Sequence, residues 1–178
     1  MNPYREIRLE VAPKAQRGLI ENLFTYYVYD MSEYIAWDTD DTGRYSFNST
    51  MLDVYWQPGD HTPYLVFVDG NIAGFALVRR YPTEPHLWDM GQFFVLRKYK
   101  GQGIGKRALE LVVKAHPGRW QIRVLKENVG AQRFWQSAIR ALVNEDCQQS
   151  LALDVDLEMM FLHFACQEQQ SEKTKQCS

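Results

Sequence analysis

The sequence predicts an α+β fold in which one mixed β-sheet carries helices on its faces. Two apolar, β-rich segments at 64–68 and 72–78 flank a Gly-containing turn, a pattern typical of an antiparallel hairpin. A third apolar segment at 87–96 runs through a glycine-rich turn directly into a helical pattern. Strands therefore both follow one another and alternate with helices, which is the arrangement of an α+β domain.

The N-terminal third contains one predicted strand and one predicted helix. Residues 4–11 alternate roughly between apolar and charged side chains, which indicates a strand. Pro13 can open a helix, and apolar residues then recur at helical spacing, so residues 13–29 are predicted to form an amphipathic helix. Residues 30–62 carry no clear periodicity beyond a short helix near 50–56.

Two helices separated by a strand follow the glycine-rich turn. The first is predicted at 104–115 and is ended by a His-Pro-Gly sequence. Residues 120–125 read as a strand, and Asn128 can cap a second helix whose apolar residues keep helical spacing. The segment 142–164 is predicted to supply a closing pair of strands.

Length and charge limit the class of protein. The 178 residues suit one domain, predicted at 1–166, with a polar tail at 167–178. The net charge of -2, from 20 basic and 22 acidic residues, argues against a general nucleic-acid binder. No apolar run approaches the ~18–20 residues of a membrane helix, and the charged N-terminus lacks the apolar region of a signal peptide. We therefore expect a soluble, cytoplasmic protein with no nucleic-acid or membrane partner.

Cysteine and histidine residues give no indication of a metal site. The three cysteines, Cys147, Cys166 and Cys177, are odd in number and form no CxxC pair, which argues against a disulfide framework or a zinc site. The four histidines are scattered without metal-ligand spacing: His61, His86, His116 and His163. No metal is therefore predicted.

The glycine-rich turn carries most of the functional signal. The first amides of a helix have no intrahelical partner, and glycines let a phosphate approach them closely. Neighbouring cations add a positive field: Arg97, Lys98, Lys100, Lys106 and Arg107. The dinucleotide fingerprint fails because Lys106 stands where its third glycine belongs, and the Walker A pattern fails at Lys100 and Arg107. A glycine-rich connection with no ligand is the alternative.

Two motifs resemble those of the GNAT acetyltransferases. The sequence Lys100-Gly-Gln-Gly103-Ile-Gly105 is similar to the family signature of Arg or Gln, two residues, Gly, one residue, then Gly or Ala, with Lys in the first position. Downstream, Asn128-Val-Gly-Ala131-Gln-Arg-Phe134-Trp135 is similar to the family's Asn-x-x-Ala helix. Together the resemblances cover residues 64–140 well, and the rest of the chain matches only in its order of elements.

The resemblance implies acetyl-CoA as co-substrate and a mostly antiparallel sheet of six to seven strands. Two strands are expected to splay apart beside the glycine turn, so that pantetheine fills the gap. Asn128 is expected to contact the pantetheine arm, although a plain helix N-cap is the alternative. The expected cofactor-binding residues are Phe93, Phe94, Val95, Lys100, Gly101, Gln102, Gly103, Ile104, Gly105, Lys106 and Asn128.

The implied reaction is acyl transfer to an amine, which has a pKa near ~10.4 and must lose a proton before attack. Strict alternation along the strand at 87–96 would put four residues on one face: Asp89, Gly91, Phe93 and Val95. Some family members carry a catalytic Glu at the position that aligns with Asp89, so Asp89 is the candidate base. A solvated strand-end carboxylate is the alternative. Gln92 is expected on the opposite face.

The family's usual proton donor is replaced in this chain. Many members place a Tyr where Trp135 stands, and an indole offers only a weakly acidic N–H. A thiol leaving group with a pKa near ~8.5, if it resembles cysteine, can depart as a thiolate without dedicated protonation. We therefore expect Trp135 to be core or pocket wall.

Residues 30–60 combine negative charge with aromatic side chains and border the acceptor site in the family's arrangement. This favours a small cationic amine as acceptor, bound by charge and cation–π contact; a solvated loop with aromatics in the core is the alternative. A non-catalytic acyl-CoA-binding module and a transferase with a longer acyl donor or a hydroxyl acceptor stay open, as does a homodimer. The acidic residues are Asp30, Glu33, Asp38, Asp40, Asp41, Asp53 and Asp60.

Overall fold

The computed structural model describes residues 5–167 and contains one seven-stranded sheet. The strand order is β1-β2-β3-β4-β5-β7-β6, and every neighbouring pair is antiparallel except β4 and β5. The strands are β1 (Ile7–Val11), β2 (His61–Val68), β3 (Asn71–Tyr81), β4 (Glu84–Val95), β5 (Gly118–Leu125), β6 (Gln148–Asp154) and β7 (Leu157–Cys166).

Three α-helices and three short 3₁₀ helices complete the described chain. The α-helices are α1 (Arg17–Met31), α2 (Ile104–Ala115) and α3 (Val129–Val143). The 3₁₀ helices are Lys14–Gln16, Ser49–Trp56 and Arg97–Tyr99. No helix within residues 5–167 is both long enough and apolar enough to cross a membrane.

The helices cover both faces of the sheet. On one face, α2 and α3 bury Leu109 and Ile139 against Ile122 of β5. On the other, α1 and the helix at Ser49–Trp56 bury Phe24 and Leu52 against β2 and β3. Alternate residues of the central strands enter the two layers, as the period of two along a strand requires. The predicted α+β class, with helices on both faces of a mixed sheet, is confirmed.

The predicted elements are present in the predicted order, with shifted boundaries. The hairpin turn forms at Asp69 and Gly70, whose φ angles of 51° and 77° suit a tight two-residue connection. The helix predicted from residue 13 begins as a 3₁₀ turn and becomes α-helical at Arg17. The short helix expected near 50–56 is the 3₁₀ helix that Asn48 caps. The predicted polar tail lies outside the described residues from 168 onward.

Candidate active site

The two parallel strands separate after three residue pairs. Strand β4 pairs with β5 only at Leu87↔Arg119, Trp88↔Trp120 and Asp89↔Gln121. Beyond this point β4 continues to Val95 paired with β3 alone, and β5 continues to Leu125 paired with β7 alone. The edge of β4 from residue 90 to 95 therefore faces a gap with no strand partner among the described residues. The splay that the resemblance implies is present.

The glycine turn opens α2 with unpaired amides. Gly101 and Gly103 have φ angles of 73° and 77°, in the left-handed region that an L side chain enters at a cost. Gly103 is the N-cap of α2, no side chain caps the helix, and the first helical hydrogen bond comes from the Arg107 amide to the Gly103 carbonyl at 3.1 Å. The amides of residues 104–106 are thus available to an anion at the positive end of the helix dipole.

A third glycine brings α2 close to α3. A Cβ atom on Gly105 would lie 2.9 Å from Cζ of Phe134, closer than side-chain contacts allow. By contrast, a Cβ on Gly101 or Gly103 would meet nothing within 4 Å. Backbone conformation therefore favours two of the glycines, whereas a side chain at Gly105 would displace the Phe134 ring.

The positive field at the turn is smaller than the count of five cations suggests. Arg97 donates to Asp30 at 2.7 and 3.0 Å, and Lys100 approaches the same carboxylate at 3.5 Å. Arg107 pairs with Glu110 at 2.7 Å. Lys98 and Lys106 form no ion pair with any residue in the described range; Lys106 donates to the Ser137 hydroxyl at 2.8 Å. Asp30 therefore orients two of the cations as well as neutralising them.

A cavity of about 710 Å³ lies beside the turn. Of the eleven predicted cofactor-binding residues, ten line it: Phe93, Phe94, Val95, Lys100, Gly101, Gly103, Ile104, Gly105, Lys106 and Asn128. Gln102 does not; its side chain donates to the Lys98 carbonyl at 2.7 Å and accepts a hydrogen bond from Arg5.

A second cavity of about 690 Å³ opens on the α1 face of the gap. Its walls combine the loop after α1, the far end of β5 and the β6–β7 hairpin. It contains two carboxylates, the exposed Asp38 and the half-buried Asp154. They lie among largely apolar residues that include Trp37 and Phe47. Asp154 accepts from Arg123 at 2.5 Å, whereas Asp38 has no ion pair with a described residue.

The two cavities share six lining residues: Tyr27, Met31, Phe93, Asn128, Ala131 and Trp135. Trp135 is only 7% exposed and packs edge-on against Phe93, with ring centroids 4.9 Å apart. It is both core and cavity wall, as expected. The Asn128 side chain caps α3 by accepting from the Ala131 amide at 2.9 Å, so the cap is confirmed, while contact with pantetheine stays a prediction.

Strand β4 contains a β-bulge that overturns the predicted alternation. Gln92 pairs with Leu77 and Met90 pairs with Val78, which leaves Gly91 as the extra residue. The bulge moves Asp89 to the face that carries α1, where Gln92 also lies, and leaves Phe93 on the face that carries α2 and α3. The prediction that Asp89 and Phe93 share a face was therefore wrong, as was the placing of Gln92 opposite Asp89.

The Asp89 carboxylate is buried and fully engaged. It has no exposed surface and accepts hydrogen bonds from Arg79 at 2.8 Å, from Arg123 at 2.8 and 3.1 Å, and from Gln121 at 3.4 Å. The alternative of a solvated strand-end carboxylate is wrong. The geometry also gives no support to Asp89 as the base, because both oxygens already hold guanidinium groups and neither cavity reaches them.

Local partners neutralise part of the acidic region. Asp30 binds Arg97, and Asp53 binds Arg17 at 2.5 Å. Asp40 accepts from the amide and hydroxyl of Thr42 in its own turn, and these bonds lower the pKa of its carboxyl. Asp38 and Glu33 are the acidic residues of the region that line a cavity without an ion pair in the described chain.

Sequence reasoning missed Arg123 and the cavity role of Tyr27. Arg123 is a charge inside the apolar strand β5, and such an interruption is a signal that a buried partner exists elsewhere. Tyr27 was predicted only as an apolar position of α1, and the sequence gives no sign that it would border two cavities. Among residues 5–167, no cluster of three or more His, Cys, Asp or Glu residues could hold a metal ion.

Comparisons with known proteins assign the family. The model of the acetyltransferase (GNAT) family matches residues 28–139. The chain therefore belongs to the GNAT acetyltransferase family, whose members use acetyl-CoA. No curated protein sequence gives a significant match.

Solved structures agree with this fold at low sequence identity. The Salmonella typhimurium protein yncA, a proposed acetyltransferase solved with acetyl-CoA, has a TM-score of 0.60 at 14% identity over 94% of this chain and 98% of that one. An acetyltransferase from the same organism, which modifies the N-terminal serine of ribosomal protein L7/L12, has a TM-score of 0.60 at 14% identity over 89% and 94%. Aminoglycoside acetyltransferase AAC(6')-Ib, solved with coenzyme A, has a TM-score of 0.62 at 12% identity over 90% and 95%.

Proposed function

We propose that this chain transfers an acetyl group from acetyl-CoA to the amine of a small, cationic acceptor by direct attack of that amine on the thioester. The observation that carries the proposal is the meeting of two cavities at the gap between β4 and β5. One cavity ends at unpaired helix amides, and the other contains a free carboxylate among aromatic walls.

The first cavity suits the diphosphate and pantetheine parts of acetyl-CoA. The amides of Ile104, Gly105 and Lys106 are directed to where a diphosphate would lie, and Lys106 lines the same cavity. The unpaired edge of β4 from 90 to 95 offers backbone donors and acceptors to an extended pantetheine arm. A backbone N–H on this edge would also stabilise the oxyanion that forms on the thioester carbonyl.

The second cavity suits the acceptor. Asp38 supplies an uncompensated negative charge at its rim, and Trp37 and Phe47 supply aromatic surface for a cation. An amine bound there would reach the thioester through the shared wall. Water in this open cavity can take the proton that the attacking nitrogen loses, so no buried carboxylate is required for that step.

Asp89 acts in this proposal through Arg123. Asp89 holds the guanidinium of Arg123 at the point where the strands diverge, and Arg123 in turn holds Asp154 of the β6–β7 hairpin. The chain of ion pairs fixes one wall of the acceptor cavity. Asp89 is therefore proposed as a residue that positions the cavity.

A non-catalytic acyl-CoA-binding module is the second candidate. The observation that favours it is chemical: the shared wall of the two cavities contains no carboxylate and no histidine. A third candidate uses a longer acyl donor or a hydroxyl acceptor. A longer acyl group would have room, because it could extend into the second cavity of about 690 Å³.

One experiment in two stages separates these candidates. A thermal-shift panel with CoA, acetyl-CoA and longer acyl-CoAs first tests binding, and free-thiol release is then followed with a library of amines and hydroxyl compounds. Stabilisation by acetyl-CoA together with thiol release on cationic amines supports the proposal. Stabilisation without release on any acceptor supports the module, and faster release from longer donors supports the third candidate. Turnover of neutral or anionic amines alone would refute the cationic acceptor.

The location, domain organisation and oligomeric state of the protein are also proposals. We place it in the cytoplasm, because the two cysteines in the described range, Cys147 and Cys166, are free thiols. Its single sheet runs from Ile7 to Cys166, which fits one domain at 1–166. A homodimer stays a prediction, to be checked by the mass of the protein in solution.

A further inference from the structure

The wall shared by the two cavities has only one group that can donate a strong hydrogen bond to sulfur. Met31, Phe93 and Ala131 offer no polar side-chain atom. Trp135 offers only a weakly acidic indole N–H, and Asn128 only an amide. The remaining member is Tyr27, whose phenol is a stronger donor than either.

The Tyr27 hydroxyl faces open space. The ring is held by aromatic neighbours, with centroids 5.1 Å from Phe24 and 6.3 Å from Phe94. The hydroxyl forms no hydrogen bond with any residue of the described chain. Because no buried side-chain oxygen or nitrogen in that chain is left without a partner, the Tyr27 hydroxyl keeps some accessible surface, and Tyr27 lines both cavities.

The protonation state of Tyr27 suits a donor. Burial raises the pKa of Tyr27 to about 12, and the nearby positive charge of Arg123 lowers it only in part. The phenol therefore stays neutral throughout the pH range of an assay. It can donate a hydrogen bond, but it cannot serve as a base.

We propose that the Tyr27 hydroxyl donates a hydrogen bond to the thioester sulfur of acetyl-CoA and stabilises the thiolate as it leaves. The inference rests on the proposed transferase function. In the step, the C–N bond forms, the C–S bond breaks and its electron pair moves to sulfur. The proton of the attacking nitrogen passes to water in the acceptor cavity, and Tyr27 keeps its own proton.

The chain offers a matched control on the same helix. Tyr26 precedes Tyr27 on α1, is 57% exposed and lines neither cavity. Both tyrosines can be changed to Phe, which removes one oxygen atom. Tyr27→Phe breaks no hydrogen bond within the described chain, so it is expected to fold like the parent protein, which a melting curve would verify.

The first measurement is the rate of transfer at saturating acetyl-CoA. A hydrogen bond to a charged sulfur stabilises the transition state, so Tyr27→Phe should lower kcat by about 10- to 100-fold. The KM for the amine should stay within about 2-fold, since the contact is made in the transition state. Tyr26→Phe should keep the parental kcat. A Tyr27→Phe protein with parental kcat would overturn the proposal.

The second measurement needs no turnover. At pH 9.5 the thiol of CoA is largely ionised, since its pKa is near ~8.5 if it resembles cysteine. The preference of the parent protein for CoA over desulfo-CoA should rise from pH 7 to pH 9.5 by about 10-fold, and Tyr27→Phe should abolish this rise. An equal rise in Tyr27→Phe would contradict the sulfur contact.

The two measurements distinguish the failure of this inference from the failure of the proposed function. A parent protein that binds CoA but acetylates no amine rejects the transferase function. The change with pH in its preference for CoA over desulfo-CoA still tests whether Tyr27 contacts the sulfur. A parent protein that binds neither CoA nor desulfo-CoA rejects both. Parental values in Tyr27→Phe, with an active parent protein, reject the inference alone.

Discussion

The two cavities that meet at the gap between β4 and β5 are nearly equal in size, about 710 and 690 Å³, but they are built differently. The first, proposed as the cofactor cavity, depends on backbone: two left-handed glycines, three unpaired amides and one free strand edge. The second, proposed as the acceptor cavity, depends on side chains from segments far apart in sequence, held by the ion pairs of Arg79, Asp89, Arg123 and Asp154.

The difference separates a site set by backbone conformation from a site set by side-chain identity. A phosphate site made of amides tolerates many side chains, provided that the glycine conformations are kept. A cavity made of side chains changes its preference with each substitution. We therefore expect cofactor binding to be sensitive to backbone changes, and acceptor choice to be sensitive to single charges.

The largest effect is expected from breaking the buried charges behind the acceptor cavity. Asp89→Asn leaves Arg79 and Arg123 without their shared carboxylate, so the free energy of unfolding should fall by about 3–5 kcal/mol. Urea denaturation measures this loss. The control is Asp146→Asn, which removes an exposed ion pair with Arg140 and should leave stability unchanged.

The same variant tests the role of Asp89. A folded Asp89→Asn protein of parental stability that has lost all activity would favour a base at this position and contradict the positioning role. A loss of stability, with kcat retained in the folded fraction at low temperature and a higher KM for the amine, is the expected pattern.

The next effect concerns the backbone of the cofactor cavity. Gly103→Ala strains the left-handed N-cap of α2 by about 1–2 kcal/mol and places a Cβ where the diphosphate would lie, so acetyl-CoA affinity should fall about 10-fold or more. Gly70→Ala is the matched control, because Gly70 also has a φ of 77° and open surroundings. It should lose similar stability while keeping its affinity, as titration calorimetry can measure.

Local sequence rules predicted the hairpin and the glycine turn well for a physical reason. The turn at Asp69–Gly70 and the glycines at 101 and 103 are determined by residues next to each other in the chain. The acceptor cavity needs contacts between distant segments, such as Arg123 with Asp89 and Asp154, which no local pattern encodes. The misplaced face of Asp89 has the same origin: a period of two cannot reveal that Gly91 is bulged.

A smaller effect is expected in the wall shared by both cavities. Trp135→Tyr shortens a side chain that is 7% exposed, so stability should fall by about 1–2 kcal/mol while activity is retained. Steady-state rates with acetyl-CoA and an accepted amine provide the measurement. A complete loss of activity in a folded protein would show that the indole takes part in the reaction.

The smallest effect is expected at the rim of the acceptor cavity. Asp38→Asn removes an exposed carboxylate, so the KM for a cationic amine should rise by up to about 5-fold with kcat unchanged. The difference in KM between Asp38→Asn and the parent protein should shrink in high salt, because salt screens the attraction between exposed charges. Asp41→Asn, in the same loop but outside the cavity lining, should leave KM unchanged. Equal effects of the two substitutions would remove Asp38 from the acceptor site.

The proposed function depends most on the glycine turn, and a crystal structure of the CoA complex tests this dependence most directly. The expected result is a diphosphate with oxygens about 3 Å from the amide nitrogens of Ile104, Gly105 and Lys106, and pantetheine along residues 90–95 of β4. Density for CoA elsewhere, with these three amides in contact with water alone, would contradict it.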